Sequence, residues 1–107
     1  MDDYHLFKLS VQSALIGVIT DKLFAVSCEL RRSHIVIETY FDGGVLEEDE
    51  DLARSISHEV LADFPDGYTA EYRCYSVRDV QPRMLDFWAF LRSERRAKRK
   101  VSLAASA

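Results

Sequence analysis

Apolar and polar positions recur in two different periods along the chain, and each change of period marks an element. Phe7, Val11, Ala14, Leu15 and Val18 return every three or four residues, which makes one apolar stripe on a helix. The spacing predicts a helix from about Tyr4 to Gly17. Asp2 or Asp3 is its cap, because a carboxylate there accepts the unpaired N–H groups and suits the dipole. Gly17 permits a left-handed stop. The period then drops to two. Phe24, Val26, Cys28 and Leu30 alternate with Ala25, Ser27, Glu29 and Arg31, and Ile35, Ile37, Thr39 and Phe41 alternate with Val36, Glu38 and Tyr40. With only Arg31-Arg32-Ser33 between them, the two strands read as an antiparallel hairpin.

Asp42-Gly43-Gly44 ends the second strand, since glycine reaches backbone angles that β-branched residues do not. Leu52, Ala53, Ile56, Val60 and Phe64 then restore the helical stripe, and Pro65-Asp66-Gly67 closes it. From Tyr68 to Arg78 the period is two again. The segment Met84–Leu91 fits either period, and its aromatics favour a last strand. The order is helix, strand, strand, helix, strand, strand. It predicts an α+β two-layer sandwich, with an antiparallel sheet carrying both helices on one face. Residues 1–92 read as a single domain and 93–107 as a basic, then Ala/Ser-rich tail that frays.

Charge adds an asymmetry. The formal net charge is -4, but residues 92–100 hold six basic side chains against Glu94; the remainder carries 8 basic and 17 acidic residues, net -9. An acidic body is not the footprint of a nucleic-acid binder. It suits a basic protein partner, because opposite fields speed and orient encounter. No apolar run is long enough for a membrane span, and the acidic start, Met1-Asp2-Asp3-Tyr4, points to a cytoplasmic protein without a secretory signal. Cys28 and Cys74 lie in strands and read as small buried hydrophobes, with pairing across neighbouring strands as the alternative.

The chemistry-bearing residues form no catalytic set. Glu59 follows His58 directly on the helix and points elsewhere. The serines lie in no nucleophile elbow, and Gly43-Gly44 stands alone without a phosphate-binding loop. The acids of 47–51 lack the spacing of a calcium loop, and the His and Cys residues show no zinc spacing. Neither an enzyme, a metal, a cofactor nor a small-molecule substrate is expected.

Several stretches occur in a familiar order: Ala14-Leu15-Ile16-Gly17, Leu23-Phe24-Ala25-Val26-Ser27, Tyr40-Phe41-Asp42-Gly43, Glu47-Glu48-Asp49 and Glu59-Val60-Leu61-Ala62-Asp63-Phe64-Pro65. Over roughly residues 10–92 the chain resembles the small immunity proteins of contact-dependent growth inhibition and related polymorphic toxin systems. The resemblance implies a non-enzymatic cytoplasmic protein that binds the C-terminal toxin domain of a cognate effector, often a nuclease with a basic cleft, and blocks its active site. The residues that would meet such a cleft are Asp42, Glu47, Glu48, Asp49 and Asp51, with Tyr40 as an exposed aromatic anchor. The competing reading of the acids is a solvated helix start that satisfies its dipole. The competing reading of the protein is an interaction adaptor or homodimer that uses the outer face of the sheet. The basic tail could also touch nucleic acid or anionic lipid.

Overall fold

The computed structural model describes residues 2–92. The element order is α1 (Asp3–Ala14), β1 (Leu23–Arg31), β2 (His34–Phe41), α2 (Glu47–Ala62), β3 (Thr69–Ser76) and β4 (Phe87–Leu91). This is the α+β order expected from the periodicities, including a strand for the ambiguous last segment. The tail expected at 93–107 lies outside the described residues. In α1 the Asp2 carboxylate caps the helix, accepting from the His5 N–H at 2.7 Å. The helix stops at Ala14, three residues before the glycine; Gly17 takes the left-handed conformation, φ 78°, inside the turn that follows.

The strand order is β3-β2-β1-β4. β1 pairs antiparallel with β2 and with β4, whereas β3 pairs parallel with β2. The sheet is therefore mixed, which corrects the antiparallel expectation. The reason is the connection. α2 carries the chain back along the sheet before β3 begins, so a β3 beside β2 must run in the same direction. Cys28 on β1 and Cys74 on β3 are separated by β2 and both are free.

Both helices lie on one face of the sheet. Phe7, Val11, Ala14 and Leu15 of α1 and its turn meet Ile56, Val60 and Phe64 over Leu23, Val26, Cys28, Ile35, Ile37 and Phe41. Phe7 is the hub: its ring stands edge-on to Phe64 and Phe87, with centroids 6.4 and 5.7 Å away. Ser10 Oγ donates to Asp63 Oδ2 at 2.6 Å and ties α1 to the end of α2.

The strand directions dictate one more feature. β3 ends at the opposite end of the sheet from where β4 begins, and on the opposite edge. The ten residues between them must cross the sheet diagonally, and the helices already occupy one face. The strap 77–86 crosses the other. Val77 N–H donates to Phe41 O, Arg83 reaches Glu38, Leu85 N–H donates to Ser27 Oγ, and Asp86 N–H donates to Cys28 O.

Candidate functional site

The chain leaves β2 at Phe41 and turns through Asp42-Gly43-Gly44, with Gly43 at φ 98°. α2 then begins with five consecutive acids, Glu47, Glu48, Asp49, Glu50 and Asp51, the first four of them in its first turn. These acids face the positive end of the helix dipole, which favours charge there whatever else it does. Their individual surroundings separate them.

Asp49 is only 6% exposed. Its Oδ2 accepts from the Leu46 N–H at 2.8 Å and from the Lys22 ammonium. It therefore caps its own helix and ties it to the turn before β1. Asp42 is exposed and pairs with Arg92 at 3.2 Å. Asp51 pairs with Arg54 one turn along at 2.7 Å, and Arg54 lies 5.8 Å from the Tyr72 ring centre. Glu47 and Glu48 are exposed and make no ion pair among the described residues. The helix thus presents Glu47, Glu48 and Asp51 outward, keeps Asp42 at the rim, and turns Asp49 inward.

Tyr40 is not at this surface. It is 0% exposed, which overturns the expectation of an exposed anchor. The alternation correctly places it off the helix-facing row, but the strap covers it. Its hydroxyl donates to Glu38 Oε1 at 2.9 Å, and its ring lies 5.4 Å from that of Tyr75.

Beneath the strap lies a cluster that the periodicities alone do not reveal. Glu38 is also 0% exposed. Arg73 Nη1 and Arg83 Nη2 each donate to its Oε2 at 2.9 Å, and Arg83 Nε donates to Oε1 at 3.1 Å. Arg73 also holds Glu71, whose other oxygen lies 2.8 Å from His34 Nε2. Burial pushes the Glu38 pKa up, but the hydrogen bonds from Arg83, Arg73 and Tyr40 outweigh it and hold the carboxyl below its ordinary value. Glu71 is likewise held low, first by His34 and then by Arg73. A carboxylate with this many charge-assisted donors is a fastener. It holds its charge and offers no open position to a substrate. The signal in the sequence was a lone acid in the middle of an eight-residue strand flanked by Val36 and Tyr40. A charge with apolar neighbours at i±2 needs a partner from elsewhere.

The remaining chemistry is equally closed. Burial pushes the Cys28 thiol far up, which removes it as a nucleophile. Among the described residues no three His, Cys, Asp or Glu side chains converge as a metal site would require, and no helix is long and apolar enough to cross a membrane. The arrangement offers a partner an acidic helix start on one side and a fastened strap on the other.

The model of the MafI2 immunity proteins matches residues 5–94, nearly the whole described chain. The chain belongs to the MafI2 immunity protein family. The match runs from α1 through β4, so the helices, the acidic turn and the strap all fall within the MafI2 region. No curated protein matches the chain. Membership in an immunity family agrees with the coarse reading of the sequence. It names a role in binding and neutralising a toxin, and the residues that make the contact must be argued from the surface.

Proposed function

We propose that this protein binds the C-terminal toxin domain of a cognate effector and blocks the toxin's active site, acting in the cytoplasm without catalysing a reaction. The match to the immunity family carries this reading. The charge of the helical layer supports the finer part, a nuclease with a basic substrate cleft. Among the exposed residues of α2 and the turns flanking it are eight acids, Asp42, Glu47, Glu48, Glu50, Asp51, Glu59, Asp63 and Asp66, against Arg54 and His58. An acidic surface of this kind competes for the groups that would hold phosphates, and it steers a basic partner into place. Occlusion needs no chemistry from the inhibitor.

Co-expression tests the reading. Cells that express the toxin domain of its cognate effector should grow when this chain is present and stop when it is absent. The purified chain should inhibit nucleic-acid cleavage by that domain at equimolar ratio. Growth arrest that persists with soluble immunity protein present would count against it. Inhibition of a toxin that is not a nuclease would leave neutralisation standing and remove only the substrate class.

A further inference from the structure

Where the strap starts, it does not lie flat on the sheet. Between it and the β1/β4 edge is a cleft of about 560 Å³ lined by Phe24, Trp88, Leu91, Val80 and Pro82, with Arg78 and Asp79 on the strap side. The volume is in the range of pockets that hold a large side chain or small ligand. Val80 is 37% and Leu91 49% exposed, so two large apolar side chains on facing walls meet water. Scattered apolar residues on a surface mean little, but here apolar side chains gather in one open cleft beside the charged and polar Arg78, Asp79 and Gln81, the mixed lining that recognition sites use.

One side chain connects the cleft to the acidic turn. The Arg92 guanidinium lies 5.4 Å from the ring centre of Phe24, in the cleft wall. It also bonds to the Asp42 carboxylate and to the carbonyls of Asp21 and Leu23. Arg92 thus bridges the cleft to Asp42, and α2 with Glu47 and Glu48 starts five residues on. The cleft and the acids occupy the same end of the sheet, where β2, β3 and β4 finish. Deepening the reading above, and resting on it, we propose that this cleft is the anchor pocket for the toxin. It takes an aromatic or aliphatic side chain from a toxin segment that carries basic residues beside it. The pocket supplies the buried centre of the interface and the acids supply its charged rim, the usual division between anchors and steering groups. Charge complementarity selects this occupant: Asp42, Glu47, Glu48 and Asp79 outnumber Arg78 and Arg92 around this end of the sheet, so a segment with basic residues is attracted and an acidic one is repelled.

Trp88 is the single tryptophan of the chain and lies in the cleft wall. The protein labelled with 5-fluorotryptophan should therefore show one fluorine resonance for the pocket. Adding the purified toxin domain of the cognate effector should move that resonance. Val80→Asp and Leu91→Asp should each weaken toxin binding by roughly tenfold or more. Ile16→Asp, at a 78% exposed position on the α1 side, should bind as the wild type does. Thermal unfolding confirms that each variant is folded, and the fluorine measurement needs no variant at all. Wild-type binding with an unmoved resonance and unweakened Asp variants would overturn the anchor pocket alone. Absence of wild-type binding would take the functional reading with it. A resonance that moves with protein concentration before toxin is added would assign the cleft to a second copy of this chain and overturn the proposal.

Discussion

Glu38 and Glu47 are the same residue type, and only the end of β2 and the Asp42–Leu46 turn separate them in the chain, yet they do opposite things. Glu38 is buried beneath the strap and accepts from Arg73, Arg83 and Tyr40. Glu47 is exposed at the start of α2 without an ion pair among the described residues. The first charge is confined by three donors and serves the fold. The second keeps its field in the solvent, where another molecule can feel it. An acidic residue in this protein is therefore read by what already holds it. By that measure Asp49 belongs with Glu38, because Leu46 and Lys22 hold it. Asp42 and Asp51 stand between, each paired yet exposed.

The largest effect should come from breaking the fastened side. Glu38→Ala strands the buried Tyr40 hydroxyl and removes the partner of two arginines. Both arginines reach water, which softens the loss, so the cost is about 2 kcal/mol in urea unfolding. Tyr40→Phe removes the hydrogen bond to Glu38 and the longer one accepted from the Arg83 N–H, and should cost about 1 kcal/mol in the same measurement. Asp49→Ala removes the helix cap and should also cost about 1 kcal/mol. Glu47→Lys and Glu48→Lys, on the open side, should change stability by no more than about 0.5 kcal/mol.

Acid should separate the two regions as well. Glu38 and Glu71 are held below the ordinary carboxylate value of 4.5. Stability from such groups is complete above the unfolded value and lost as pH falls through the lower folded one. Urea unfolding below pH 4.5 should therefore steepen in the wild type, and Glu38→Gln should flatten that acid limb. The reverse, a variant whose acid limb is unchanged, would place the pH dependence elsewhere.

The sequence made the elements legible because burial on a single face leaves a period. Phe7, Val11, Ala14 and Leu15 line α1 as their spacing predicts, and Ala53, Ile56 and Val60 do so on α2. Strand neighbours leave no such mark: alternation in Thr69–Ser76 shows which way side chains point, not that β3 lies parallel beside β2. The same limit hid the burial of Tyr40. A strand with apolar residues on both faces is covered on both, and Val36 and Tyr40 already said so, but the cover is a strap without periodicity. Within the acidic run, position decides. Asp49 stands three residues after the cap residue Leu46, where a side chain can curl back to the backbone, and its neighbours cannot.

The central claim is that the open acids, not the fastened ones, meet the toxin. Its most direct test is the association rate of Glu47→Lys/Glu48→Lys/Asp51→Lys with the cognate toxin domain at low and high salt. The account predicts a rate at least about tenfold below wild type at low salt, with the two rates converging as salt screens the fields. Equal rates for the two proteins at low salt would contradict it.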